Sequence, residues 1–300
     1  MKIEIFLTGS SGFVGQYLKD KFKDDFSFKF YKRESNIKID SQVVIHLAGI
    51  AHDLKKTKKE SDYYLINTEL TKSIFDEFLK SDAEVFIYLS SVKASADSID
   101  GVLFEDSSPY PKTHYGKSKL LAENYIISNK TTNSKRIYIL RPCMIHGPNN
   151  KGNLNLLYNL VSMRVPWILG LFENKRSYCS IENLSFVIKE LITNKKIPSG
   201  IYNVSDDHPL STNEIICLIS KSQDKKPIIW NISKKLIKVI AKIGDVFPLF
   251  INSERLQKLT ETYVVSNEKI KKGIGKELPV DSKNGMLNTF KSYQLNKKSI

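Results

Sequence analysis

Short apolar runs alternate with amphipathic stretches over the first two thirds of the chain. Residues 2–7, 26–31, 43–47, 85–89 and 136–140 are brief and rich in β-branched and aromatic side chains, which predicts strands. Residues 12–22, 62–79 and 115–128 carry apolar positions at helical spacing and predict helices. Repeated strand-helix-strand units imply an α/β fold, a doubly wound parallel sheet with helices on both faces. Only residues 37–39 fill the gap between the second and third strands, so one crossover helix is expected to be trimmed away. After Pro148 the pattern loosens. Residues 151–175 read as loop and short helix, 181–193 as a helix and 201–204 as a final strand. From residue 205 the chain reads as short helices around Pro227, Pro248 and Pro279. The expected division is an α/β domain of residues 1–148 plus about 177–204. A smaller, mostly helical lobe of about 149–176 plus 205–300 closes over the C-terminal ends of the strands.

Composition narrows the class. Three hundred residues with 41% hydrophobic content can bury a large core. The formal net charge of +14 raises nucleic acid as a partner, but the lysines are scattered and not interleaved with aromatics, so a solvated surface is favoured and nucleic acid is not expected. The excess positive charge suits an anionic substrate. No run of 18 apolar residues occurs and no secretory segment opens the chain, so no stable membrane insertion is expected and the cytoplasm is the expected compartment. One stripe, Leu236, Ile237, Val239, Ile240 and Ile243, is open to two readings, a membrane-surface anchor or a helix packed on its own domain. With no aromatic inside it, packing is favoured. Cys143, Cys179 and Cys217 lack metal-ligand spacing and are expected as buried free thiols. No metal site is expected, and His46, His52 and His146 read as structural, or as cofactor-lining for His46.

Two local patterns carry chemistry. Gly9, Gly12 and Gly15 follow a strand and open a helix. In that context the first glycine allows the turn, the second lets backbone approach phosphates, and the third lets helix pack on strand. Tyr115 and Lys119 stand one helical turn apart on one face. A free tyrosine titrates near ~10, so a general base near neutrality needs that value lowered by about three units, roughly 4 kcal/mol. An ammonium about 4 Å away at an effective dielectric of about 20 supplies that much.

These residues resemble the extended short-chain dehydrogenase/reductases that modify nucleotide sugars, the epimerase/dehydratase group. Thr8-Gly-Ser-Ser-Gly-Phe-Val-Gly15 matches the family fingerprint and Tyr115-Gly-Lys-Ser-Lys119 its catalytic Tyr-x-x-x-Lys. Phe86-Ile-Tyr-Leu-Ser90-Ser91 matches the strand that ends in a catalytic serine, with Ser91 the better placed of the two. His46-Leu47-Ala48-Gly49 resembles the segment lining the adenosine side, and Asn67 the asparagine of the following helix. Arg141-Pro142 and Gly147-Pro148 resemble the approach to the substrate lobe. The segment at Arg176-Ser-Tyr-Cys resembles the one whose arginine holds a substrate diphosphate.

The resemblance implies a Rossmann-type domain and catalysis by Ser91, Tyr115 and Lys119. It implies NAD or NADP held by Thr8, Gly9, Ser11, Gly12, Phe13, Val14, Gly15, Lys32, Arg33, Leu47, Ala48, Gly49, Asn67, Tyr115 and Lys119. Ser91, Asn153 and Arg176 would contact a UDP-sugar, and a homodimer is compatible. Two departures matter. Lys32-Arg33 stands where an aspartate binds the ribose in NAD-preferring members, which keeps NADP open, and Met144 replaces an asparagine before the Gly-Pro segment. The implied activity is NAD(P)-dependent oxidoreduction at C4 of a UDP-linked hexose or N-acetylhexosamine, foremost 4-epimerisation for surface polysaccharide precursors. The alternatives are an NADPH-dependent 4-ketoreductase of a UDP-4-keto-6-deoxy-N-acetylhexosamine and, remotely, a non-catalytic dinucleotide-binding sensor.

Overall fold

The computed structural model describes residues 2–32, 37–50, 59–129, 134–150, 152–247 and 251–298. In chain order its strands are β1 (Ile3–Thr8), β2 (Phe26–Phe30), β3 (Val43–His46), β4 (Val85–Leu89), β5 (Val102–Leu103), β6 (Arg136–Pro142), β7 (Met144–His146), β8 (Tyr178–Ser180), β9 (Gly200–Val204) and β10 (Val264–Val265). Its helices are α1 (Phe13–Phe22), α2 (Glu60–Tyr64), α3 (Leu70–Lys80), α4 (His114–Ser128), α5 (Asn153–Ser162), α6 (Ile181–Thr193), α7 (Thr212–Ser222), α8 (Lys234–Gly244), α9 (Ser253–Thr260), α10 (Glu268–Ile274) and α11 (Ser282–Lys298). Six strands form one parallel sheet in the order β2-β1-β3-β4-β6-β9.

The strands read as unbroken apolar runs because both faces are buried. Ile5, Leu7, Val43, Ile45, Val85 and Ile87 point to one side, where α1 and α6 add Leu18, Phe22, Leu184 and Val187. Phe6, Val44, Phe86 and Tyr88 point to the other, against Ile74, Phe75 and Phe78 of α3 and Ala122 and Ile126 of α4. Residues 37–42 run without a helix, and Ile37, Ile39 and Tyr31 cover that flank of the second cluster. The predicted helix at 62–79 is continuous from Glu60 to Lys80 but widens into a π turn at Leu65–Glu69.

The rest of the chain builds two smaller cores. Leu154 and Tyr158 of α5 meet Ile215 and Ile219 of α7 and Met286, Phe290 and Tyr293 of α11. Trp167, Leu169 and Ile216 meet Ile237 and Ala241 of α8 and Leu256 of α9. The chain then returns to the sheet, where Tyr263, Val265, Ile270 and Ile274 join the first cluster. Two sequence expectations change here. Cys143 and Cys179 are buried, but Cys217 is exposed, because Ile215, Ile216 and Ile219 define the covered face of α7. The α8 stripe packs along one edge only. Ile237, Ala241 and Gly244 are buried, whereas Leu236, Val239 and Ile243 are exposed.

Asp206 links β7, β8 and α6 and, through His146, α11. Its buried carboxylate accepts from the Ser180 backbone at 2.9 Å and from Asn183 Nδ2 at 2.7 Å, and it meets His146 Nε2 at 3.1 Å. His146 Nδ1 in turn meets Thr289 of α11 at 2.9 Å. Asp206→Ala leaves these groups unpaired and is expected to lower unfolding free energy by about 3–5 kcal/mol. Urea unfolding checks this, and a loss under about 1 kcal/mol would show that water replaces the carboxylate.

Candidate active site

The sheet changes winding direction at β1, whose neighbours β2 and β3 follow it in sequence on opposite sides. A crevice opens at such a point, outside the strands' carboxyl ends. The glycine turn lies there. Gly9 has φ +68°, and a Cβ on it would stand 2.7 Å from the Ala48 nitrogen. A Cβ on Gly15 would stand 2.4 Å from the Gly9 carbonyl oxygen. Gly12 is different. Its φ of −75° suits any residue, and a Cβ there would meet only the Gly9 oxygen, at 3.3 Å. Gly9 and Gly15 are therefore demanded by the fold, whereas Gly12 leaves its space open. Gly12 is exposed with Ser11 and opens α1 with neither a side-chain cap nor an acidic residue in the first turn. Uncapped N–H groups beside open space form a cradle for an anionic group, which fits a dinucleotide pyrophosphate. Phe13 packs on the first core cluster and Val14 is buried in it.

The opposite wall is fixed by a closed hydrogen-bond circuit. Thr8 Oγ1 accepts from the Leu47 and Ala48 backbones at 3.1 and 3.0 Å, so its own proton goes to His46 Nδ1 at 2.7 Å. His46 Nε2–H then donates to Thr71 Oγ1 at 2.9 Å, and that hydroxyl donates to the Asn67 carbonyl at 2.8 Å. His46 is neutral in this arrangement. Burial, helped by the nearby Lys119 charge, pulls its pKa down to about 3. Thr8 is fully buried, so its side chain shapes the cleft from behind instead of reaching a cofactor. Asn67, in the π turn, holds the Ile50 backbone through both side-chain atoms and donates to Ser118 Oγ at 3.0 Å.

Tyr115, Lys119 and Glu123 form one row on α4, spaced i, i+4, i+8. Ser91 donates a hydrogen bond to the Tyr115 oxygen, whereas Ser90 donates to Glu123. The two serines thus face different partners on α4. Tyr115 is half-buried and edge-on to Tyr63 at 6.4 Å between ring centroids. Lys119 is buried and donates to the Leu89 carbonyl at 2.9 Å, 4.8 Å above the Tyr88 ring. A Cβ at Gly49 would meet Lys119 Nζ at 3.0 Å.

The electrostatics correct one expectation. Burial raises the Tyr115 pKa above its ordinary value, opposed by the Ser91 hydrogen bond and reinforced by Tyr63 and Glu123. Burial also pulls Lys119 down to about 8, with Glu123 opposing, and its ammonium donates to the Leu89 carbonyl.

Glu123 went unnoticed in the sequence, although an acid at i+8 from Tyr115 shares its helical face. Its carboxylate is buried and pairs with Arg141, whose Nε lies 3.1 Å from both oxygens and whose Nη2 lies 2.6 Å from Oε2. Arg176 contacts Glu261 at 3.4 Å and donates to the Lys258 carbonyl at 3.2 Å. Its charge acts on Cys143, Tyr263 and Lys93, which places it near the loop after Ser91. Asn153 is exposed at the start of α5, and no described contact ties it to Ser91 or Arg176. Leu47 and Ala48 are half-buried, Lys32 is exposed, and Arg33 and His52 lie outside the described residues.

Two measurements test this cleft. Gly12→Val is expected to abolish dinucleotide binding with little change in melting temperature, whereas Gly15→Ala is expected to prevent stable folding; retained affinity in a folded Gly12→Val protein would place the pyrophosphate elsewhere. Lys119 is charged below its pKa and loses charge as pH rises through about 8. Dinucleotide affinity should therefore fall across that range in the parent and be low and pH-independent in Lys119→Met. A parallel pH dependence in both proteins would exclude Lys119 as its source.

The model of the NAD dependent epimerase/dehydratase family matches residues 32–205, a span holding Ser91, Tyr115, Lys119 and Arg176. A UDP-glucose 4-epimerase of Vibrio cholerae is 29% identical, covering 98% of this chain and 96% of its own. An N-acetyl-α-D-glucosaminyl-diphospho-ditrans,octacis-undecaprenol 4-epimerase of Escherichia coli O157:H7 is 27% identical, covering 75% and 74%. The fold matches a UDP-glucuronic acid 4-epimerase from Bacillus cereus in complex with NAD, with TM-score 0.74, 19% identity and coverage of 98% and 99%. The family match takes in the Ser91–Tyr115 pair and Lys119, the open turn at Gly12 precedes it in the same crevice, and, with more than half of its residues matched, the chain belongs to the NAD-dependent epimerase/dehydratase family.

Proposed function

We propose that the chain catalyses NAD-dependent 4-epimerisation of a UDP-linked hexose or N-acetylhexosamine. The observation that carries this reading is the hydrogen-bonded pair Ser91–Tyr115, set beside the buried ammonium of Lys119 at the mouth of the cleft. Similarity to the Vibrio cholerae UDP-glucose 4-epimerase over nearly the whole of both chains supports the substrate class. Bound NAD supplies a reversible acceptor for the hydride at sugar C4.

The chain's own residues manage the proton and the orientation. As a phenolate, the form that the Lys119 ammonium and the positive charge of bound NAD would favour, Tyr115 takes the proton from the C4 hydroxyl as the carbonyl forms and returns it when the other face is reduced. Ser91 donates to the same sugar oxygen and holds it beside the phenol. Lys119 adds positive charge on the cofactor side of the cleft. Arg176, with its planar fork, holds the diphosphate, and Glu261 is the carboxylate it leaves to do so. The substrate lobe of about 149–176 plus 205–300 would bring Arg176 and Asn153 over the crevice.

Tyr115→Phe is expected to lower kcat by about two to four orders of magnitude with dinucleotide affinity nearly unchanged, the scale of general acid-base catalysis. The enzyme incubated with UDP-glucose or UDP-N-acetylglucosamine, without added reductant, should yield the C4 epimer. Turnover of Tyr115→Phe within about tenfold of the parent would remove Tyr115 from this role. NADPH oxidation on a 4-keto-6-deoxy UDP-sugar with no epimer formed would make the enzyme a ketoreductase, an activity for which a 25% identical dTDP-4-dehydro-6-deoxyglucose reductase of Escherichia coli gives precedent.

A further inference from the structure

We propose that the outward face of α8 docks on an anionic phospholipid bilayer. The apolar arc of this helix is wider than the surface it covers. Ile237, Ala241 and Gly244 are buried, in the cluster that holds Trp167, Leu169, Ile251 and Leu256. Leu236, Val239 and Ile243 follow one another at spacings of three and four residues, on a second stripe roughly 140° around the helix, and Val246 lies just past its end. Those four and the adjacent Phe247 are 47% to 80% exposed. Single exposed apolar residues are ordinary on a protein surface; a continuous stripe over about two turns is not.

The charges say what covers it. Lys235, Lys238 and Lys242 occupy the margin beyond the stripe, Lys234 lies over the Phe172 ring at 5.8 Å, and the helix contains no acidic residue. Exposed Trp230 lies just upstream. Leucine, valine and isoleucine beside a lysine margin, with aromatic residues at both ends, form the pattern of a helix lying in a bilayer interface, apolar side down and ammonium groups at the phosphates. A second copy of this chain fits poorly, because a two-fold contact through the same face would set three lysines against three lysines. No described helix is long and apolar enough to span a membrane, so the attachment is peripheral. The proposal does not depend on which sugar the enzyme uses.

The test is co-sedimentation of the full chain with vesicles of phosphatidylglycerol and phosphatidylcholine against vesicles of phosphatidylcholine alone. Binding is expected to the mixed vesicles and to weaken as salt screens the lysines. The triple variant Leu236→Ser, Val239→Ser, Ile243→Ser alters only exposed positions and should lower binding about tenfold or more with its melting temperature unchanged. If that variant misfolds, Lys235→Glu with Lys238→Glu gives the same reading on the charge margin. Trp230 adds an optical signal, since Trp167 is buried and Trp230 is exposed. Its emission should move to shorter wavelength with the mixed vesicles, and the shift should vanish in Trp230→Phe. No sedimentation with mixed vesicles, binding unaffected by either variant, or a stable dimer that these substitutions dissociate while vesicles have no effect would each overturn the proposal.

Discussion

The backbone just after β1 lies against the backbone just after β3, and the cleft depends on that approach. The space a Cβ would need at Gly9 is taken by the Ala48 backbone. Thr8 spends its whole hydrogen-bonding capacity on the contact, accepting two backbone protons and giving one to His46. From there the circuit runs through Thr71 to Asn67, and Asn67 continues through Ser118 to the Tyr115 carbonyl. The turn that faces the phosphates and the helix that carries the phenol are thus parts of one hydrogen-bonded frame. Every link is uncharged, which lets it be buried without the desolvation penalty that a buried imidazolium would carry.

The charged counterpart lies one layer further along α4. Glu123 is a carboxylate in a dry place, tolerable because Arg141 meets it with several N–H groups and Ser90 adds another donor. Removing Arg141 would strand the carboxylate. The pair also sets the field around the reacting groups. Burial raises the Tyr115 pKa and lowers that of Lys119, and Glu123 adds to the first shift while opposing the second. A lone lysine-to-tyrosine effect describes this site incompletely. Its acid-base balance is shared among four groups, Ser91, Tyr115, Lys119 and Glu123.

The sheet was legible because two-sided burial writes itself as unbroken apolar runs, and β4 is found at the residues the pattern predicts. The glycine turn was legible because two of its glycines are required by backbone collisions that no side chain can relieve. What escaped has physical reasons as well. The π turn at Leu65–Glu69 leaves the apolar periodicity of residues 60–80 nearly intact, so the sequence shows one helix. The partners of Arg176 stand 82 and 85 residues away, beyond any local spacing rule. Glu123 was within reach of the spacing that found Lys119, but an acid on a lysine-rich helix looks like a surface ion pair until Arg141 is seen beside it. Cys217 was assigned by residue type, and the face of α7 decides otherwise.

The α8 helix shows where periodicity stops being informative. A repeat of apolar positions reports that one side of a helix avoids water, but not how much of that side the protein itself covers. Here the covered edge is set by Ile237, Ala241 and Gly244, and an Ile251 carbonyl lies so near Gly244 that a Cβ there would stand 2.0 Å from it. That close seat fixes the rotation of the helix, so the second stripe has no freedom to turn inward. Polar residues at 236, 239 and 243 would have served folding equally well, since exposed apolar groups contribute little burial energy and lower solubility. Lysines along the margin offset the solubility cost without hiding the stripe. An arrangement that gains nothing for the folded chain in isolation gains its apolar burial only against another surface, and the sign of the neighbouring charge selects an anionic one.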